Sequence, residues 1–410
     1  MQAALDLADG LRGSLPFAAR AQLYVAAVVG GGLAIHLCLR RAAPGGRALA
    51  LAAPLVALNA WLPLLFAQHE EVLSRCVALL LSMWLGSFKA VGLALGRGPL
   101  VGDWNAAQTV LLYAMPIYPS AEDAGVRKGR LGDAHGTAGQ ALRSFAVNTV
   151  MLVTMATTLA TFDLPLLLKY YIYGLGLYGF ITFLMDGCAA PLIGLADMQV
   201  VPPFDKPWMS VSLADFWTRR WNNTVSLTLR ALVYDPLVEG RLMAAPPPAG
   251  AAPQQQHHHH HRGGGRVPLP RRVAGLAATF AVSGVMHELV LAYLTLPGDY
   301  HPWHWLAFFL VQAPALAAEG AALAALRARG GAVPRPLGIA YTTAFVLATS
   351  AAFWFPPICD RSGLAEHIVA SVTGNVAGLA AAARRLAAAA GLAPGASAIA
   401  PLLAAASATA

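Results

Sequence analysis

"FAVSGVMHELVLAYL", residues 280–294, is the stretch on which the fold turns. It is apolar enough for the interior of a bilayer, yet His287 and Glu288 stand side by side near its middle. Ionisable groups are rare inside spans because burying them is costly, and where they occur they mark functional positions. Ser283 and Gly284 leave room for another helix or a ligand to come close. Ser283, four residues before His287, can hydrogen-bond to it.

The rest of the chain agrees with a membrane setting. Of 410 residues, 57% are hydrophobic and only 12% charged, where a soluble domain is about a quarter charged. A spanning helix needs roughly 20 mostly apolar residues. Candidate segments fall near 18–38, 48–67, 75–96, 143–162, 164–185, 272–296, 303–326 and 337–356, and an Ala-rich segment, 364–393, reads as a ninth span or a surface helix. The fold class expected is all-α and polytopic, with eight to nine transmembrane helices.

Loop charge orients the layout. Arg40, Arg41 and Arg47 mark the first connection; Arg97, Arg127, Lys128, Arg130 and Arg143 mark the third. Many Arg residues lie between 185 and 272, and Arg327, Arg329 and Arg335 lie between the last two spans. The intervening connections are poor in Lys and Arg. This alternation follows the positive-inside rule and places both termini on the lumenal or extracellular side, with 185–272 cytosolic. The net charge of +8 suits loops facing anionic lipid; the scattered Arg residues form no nucleic-acid stripe. The first residues lack a basic stretch leading into an apolar core, so a cleaved signal peptide is not expected.

Cys38, Cys76, Cys188 and Cys359 are far apart, which suggests neither a disulfide framework nor a zinc site, and no metal centre is expected. Residues 244–268, with the pentahistidine His257 to His261, read as a disordered cytosolic loop that would chelate a metal only opportunistically. The tail 397–410 is low complexity, leaving a single membrane domain over 1–396. Residues 185–205, apolar but interrupted by prolines, suit an interfacial or re-entrant element. Lys89, Lys169, Asp186 and His36, near span ends, read as structural or snorkelling groups.

A second polar cluster is "DFWTRRWNN", Asp215 to Asn223. Ser212 and Asp215 make a plausible helix start, with Leu213 and Phe216 as apolar anchors. On a helix Trp217 and Trp221 share a face, Arg219 and Asn222 lie together, and Asp215 pairs with Arg219. An aromatic belt and snorkelling cations would account for Trp217 and Arg220, but not for two adjacent asparagines.

These blocks resemble a known family. "SLADFWTRRWNNTVSLTLRALVYDP" resembles the Trp-Arg-Arg-Trp-Asn block of plant-type wax synthases, a branch of the membrane-bound O-acyltransferases. "FAVSGVMHELVLAYLTLPGDYHPWHWLAFFLVQAPALAAEG" resembles their Ser-Gly-x-Met-His-Glu block with the downstream Pro-x-Trp and Phe-Phe segment. The likeness covers about 200–320. Thr218 stands where the family usually has Gly, Asn223 follows the matched Asn, and the polyhistidine insertion is unusual.

The resemblance implies a transferase of the endoplasmic reticulum that moves a fatty acyl group from acyl-CoA to a long-chain alcohol to give wax esters, or else to a sterol or terpenoid alcohol. It implies His287 as the catalytic histidine and Asn222 as its polar partner. Trp217, Arg219, Arg220, Trp221, Asn223, Ser283 and Glu288 are the expected substrate-binding residues. No cofactor is expected beyond acyl-CoA as co-substrate. The partners expected are fatty acyl-CoA, a long-chain alcohol or sterol, and the bilayer.

Elementary chemistry fits these roles. Acyl transfer needs a base for the hydroxyl proton, and an imidazole in apolar surroundings is disfavoured in its charged form. It also needs oxyanion donors, a task within reach of Asn222. No Ser or Cys nucleophile with an adjacent base is evident, so direct transfer is expected. The rival class is a transporter using His287 and Glu288 as a proton relay, although the paired halves common in transporters are missing from the sequence.

Overall fold

The computed structural model describes residues 2–119, 137–244, 268–295 and 300–389. The pentahistidine and the 397–410 tail lie outside them. Among the described residues eight helices are long and apolar enough to cross a membrane: α1 (Phe17–Arg41), α2 (Gly46–Leu65), α3 (Val72–Ala94), α4 (Ala138–Thr161), α5 (Leu166–Leu195), α6 (Leu269–Thr295), α7 (His304–Ala328) and α8 (Arg335–Arg361). The segment after α8 forms one helix, Leu364–Ala389. No strand occurs among the described residues beyond an isolated bridge between Pro119 and Val200.

The helices sort by exposure. α3 is the most enclosed, whereas α4 and α5 present Leu142, Val147, Val150, Leu166 and Leu167 outward, as lipid-facing helices do. The connections gather at two ends, as the charge alternation requires. At one end Gly45 N–H donates to Ala94 O at 3.0 Å and Ala244 N–H to Leu95 O at 3.0 Å. There Arg97 pairs with Glu239 at 2.8 Å. At the other, Arg20 makes a two-pronged pair with Glu71, 2.7 Å on each arm, and Gln68 donates to Leu294 O at 2.9 Å.

Two expectations change. Residues 185–205 are not one re-entrant element: α5 continues through Pro191 to Leu195, and the chain turns at Asp197, whose φ is +50°. An internal proline removes one backbone donor and crowds the preceding turn; neighbouring helices and local adjustment let a membrane helix accommodate it. Lys89 does not snorkel. It is fully enclosed, and its ammonium donates to Leu112 O at 2.5 Å and Met115 O at 2.6 Å. Those carbonyls end the short helix Ala106–Ala114, where a cation complements the helix dipole.

Among the described residues, five π-helical stretches interrupt the regular geometry: Leu79–Gly86, Phe216–Arg220, Arg230–Tyr234, Ser350–Trp354 and Pro356–Arg361. Each supplies side chains to the wall of one cavity of about 2050 Å³. Widened turns of this kind often mark functional sites.

Candidate active site

His287 sits on α6 and lines the cavity. Its Nδ1 lies 2.7 Å from Ser283 O. A carbonyl only accepts, so Nδ1 holds the proton and Nε2 keeps its lone pair. The expected partnership of Ser283 with His287 is therefore present, made through the backbone oxygen. Aromatic rings enclose the imidazole: Phe309 is stacked at 4.3 Å between centroids, Trp84 stands edge-on at 4.6 Å, and Trp354 is at 5.3 Å. Gly284 permits this closeness. A Cβ there would meet Leu306 Cδ1 at 2.7 Å and Phe309 Cβ at 3.2 Å, so α6 and α7 pack backbone to side chain beside the base.

Glu288 is placed differently from expectation. It does not line the cavity. Its Oε1 accepts from Tyr300 Oη at 3.0 Å and Trp303 N at 2.8 Å, and its Oε2 accepts from Leu306 N at 3.0 Å. Trp303 and Leu306 belong to the start of α7, where unsatisfied N–H groups and the helix dipole favour a carboxylate. Burial first, and then the Glu288 carboxylate, push the Tyr300 phenol up to about 12, so Tyr300 stays a donor. Glu288 thereby pins α6 to the helix that brings Trp305 and Phe309 to the imidazole.

The 212–223 block begins as the sequence suggests. Ser212 Oγ accepts from Asp215 N at 3.0 Å, and Glu319 on α7 accepts from Leu213 N at 2.9 Å. Asp215 pairs with Arg219 at 3.2 Å. The helical face drawn through Asn222 is not formed, because the helix ends in the π turn Phe216–Arg220. Trp217 and Trp221 both touch Phe216 and both line the cavity, while their other partners differ. Trp217 donates to Gln312 at 3.1 Å and packs on Phe280 and Phe309; Trp221 stacks on Phe216.

Asn222 adopts the left-handed conformation, φ +44°, which Asn tolerates better than most residues. Its Oδ1 accepts from Val225 N at 3.3 Å and caps the helix Asn223–Leu229. That bond fixes the amide and leaves Nδ2 as the remaining donor. Asn223 donates to Pro202 O at 3.0 Å. Asn222, Asn223, Ser283, Trp217 and Trp221 all line the same cavity as His287.

A family model described as "Membrane bound O-acyl transferase family" matches residues 200–311, which hold both Asn222 and His287. Relatives in Arabidopsis thaliana extend the likeness. An acyl-CoA–sterol O-acyltransferase is 27% identical over 69% of this chain and 74% of its own. A probable long-chain-alcohol O-fatty-acyltransferase is 33% identical over 40% of this chain and 42% of its own. Another probable long-chain-alcohol O-fatty-acyltransferase is 27% identical over 77% and 82%. The chain is thus similar to members of the membrane bound O-acyl transferase family, with the family match confined to residues 200–311.

Around this site the cations divide sharply. Arg219 lies on the cavity wall with Arg230 and Arg272, at the end of the bundle where Arg97 sits. Arg220 does not. It is held by Asp215 Oδ2 at 2.7 Å and Asp205 O at 2.9 Å, so its charge braces the block from behind. Several cavity residues escaped the sequence reading: Trp84, Phe309 and Trp354; so did the buried Gln312, which links Trp217 to Thr349. One signal for Trp84 was available. Trp normally marks the ends of spans, and Trp84 stands mid-span in α3.

Proposed function

We propose that this chain transfers a fatty acyl group from acyl-CoA to the hydroxyl of a lipophilic alcohol, a long-chain fatty alcohol in the first instance. One observation carries the reading: His287, with its Nε2 lone pair uncommitted, and Asn222, with its Nδ2 uncommitted among the described residues, line one cavity that runs between apolar helices. The alcohol oxygen attacks the thioester carbon and its proton passes to His287 Nε2. The carbonyl electron pair moves onto oxygen. Collapse of that intermediate breaks the C–S bond, and the departing CoA thiolate takes the proton back from His287. The steps balance without a cofactor beyond acyl-CoA as co-substrate.

Location follows from partition. Acyl chains and fatty alcohols favour an apolar surround by about 0.8 kcal/mol per buried CH₂. The CoA phosphates are polar, and the cationic rim of Arg219, Arg230 and Arg272 suits them. That rim lies at the end whose loop charges assign it to the cytosol. The membrane proposed is the endoplasmic reticulum, on the resemblance to plant-type wax synthases. A sterol acceptor is the second reading, favoured by the likeness to the acyl-CoA–sterol O-acyltransferase over 69% of the chain. Expression in a host lacking neutral-lipid synthesis, with analysis of the lipids formed, separates the two: wax esters support the first, steryl esters the second, and neither product sinks both.

Asn222→Ala is expected to lower turnover by about 10²-fold, the effect of losing one oxyanion donor. Its effect on folding, loss of an N-cap worth about 1 kcal/mol, is smaller; turnover and folded yield measured side by side check this. Arg219→Ala combined with Arg272→Ala is expected to raise KM for acyl-CoA about tenfold, equivalent to ~1.4 kcal/mol. The Michaelis constant for the alcohol, measured in the same variant, should hold.

A further inference from the structure

We propose that the indole N–H of Trp84 is a substrate-contacting donor that stabilises the oxyanion formed during acyl transfer; this rests on the reaction proposed above. Trp84 lies on α3, the most enclosed span, within the π-helical stretch Leu79–Gly86. The residue is only 3% exposed, yet its Nε1 has no acceptor among the described residues. Buried N–H groups without partners are uncommon and unfavourable, and each one calls for an explanation.

Its neighbours show the contrast. The Trp217 indole donates to Gln312 at 3.1 Å, and the Trp305 indole donates to Trp354 O at 2.8 Å. All three line the cavity, but Trp84 alone keeps its donor unpaired, and its ring stands nearer the imidazole than that of Trp305, 4.6 Å against 6.2 Å. That position matters for the chemistry. The base must reach the attacking hydroxyl at about 3 Å, and an oxyanion donor must reach the other oxygen of the same carbon at about 3 Å. Base and donor are therefore close neighbours. A donor shielded from water acts more strongly than an exposed one. The widened π turn gives the indole latitude to meet the carbonyl, and turns of this kind recur at functional sites.

The test compares Trp84→Phe and Trp354→Phe with the wild-type chain, in membranes supplied with a long-chain acyl-CoA and hexadecanol. Both substitutions trim a ring that touches His287; only the first removes a fully buried donor that lacks an acceptor. Trp84→Phe is expected to lower kcat about 100-fold, with KM for acyl-CoA within about threefold and thermal stability unchanged or raised. Trp354→Phe is expected to lose much less. Wild-type turnover in Trp84→Phe, equal losses in both variants, or a loss confined to Trp354→Phe would overturn the proposal. If Trp84→Phe does not fold, benzothienylalanine at position 84 keeps the bicyclic shape and deletes only the N–H, and the same outcomes apply. Failure of the wild-type chain to make any ester would instead count against the acyl-transfer reading.

Discussion

His287→Ala is expected to lower ester formation by about 10²–10⁴-fold, the usual span for loss of a general base, while the protein still folds. The structure separates these two outcomes. The imidazole's hydrogen bond runs to Ser283 O one turn back on its own helix, so its removal breaks no hydrogen bond between helices. What disappears is the Nε2 lone pair on the cavity wall. His287→Gln is expected to be nearly as inactive, because an amide can accept a hydrogen bond but cannot hold the proton. Turnover with long-chain acyl-CoA and alcohol, read against folded yield from gel filtration in detergent, checks both variants.

Glu288→Ala is expected to act the other way round, on stability first. It strips the acceptors from Tyr300, Trp303 N and Leu306 N at once. Hydrogen bonds to a charged group contribute about 1.5–3 kcal/mol each, and stranded donors add a desolvation cost. The combined loss is on the order of 3–5 kcal/mol. Turnover should fall with it, because α7 brings Phe309 and Trp305 to the imidazole. Glu288→Gln keeps one carbonyl oxygen and should recover part of both. Thermal unfolding of the detergent-solubilised variants is the measurement. A proton relay between His287 and Glu288 would instead leave stability intact and remove function, and the three fixed donors on the carboxylate already argue against that role.

The layout of the spans was legible because apolar length and loop charge are local properties. The eight spanning helices lie where hydropathy set them, and their ends gather as the charge alternation requires. The same local reading drew α5 too short, since Pro191 looks like a stop in sequence and is absorbed within the helix. Residues 364–389 could not be assigned from composition; they form one helix.

The site was legible in its two polar anchors and opaque in everything that depends on contacts distant in sequence. Ser283 and His287 could be picked out because a polar group in an apolar run is conspicuous, and Asn222 through the resemblance of its block to plant-type wax synthases. The regular helix drawn through Asn222 failed because a π turn ends it at Arg220, although Trp217 and Trp221 still share Phe216 and the cavity wall. Glu288 was expected to bind substrate because it adjoins His287, yet its partners are the Tyr300 hydroxyl and backbone donors 15 and 18 residues away. Arg220 was expected to bind substrate, but Asp205 and Asp215 hold it, partners brought together only when the loop folds. Trp84 is some two hundred residues from His287, and only the packing of α3 against α6 brings them together.

The most direct check is a mass balance. Membranes holding the wild-type chain receive acyl-CoA labelled in its acyl group, together with a mixture of hexadecanol and a sterol, and both labelled ester and free CoA thiol are counted. The account predicts one thiol released for each ester formed, and neither above background in the His287→Ala membranes. Thiol release without ester, or ester formed at the wild-type rate when His287 is alanine, would contradict it.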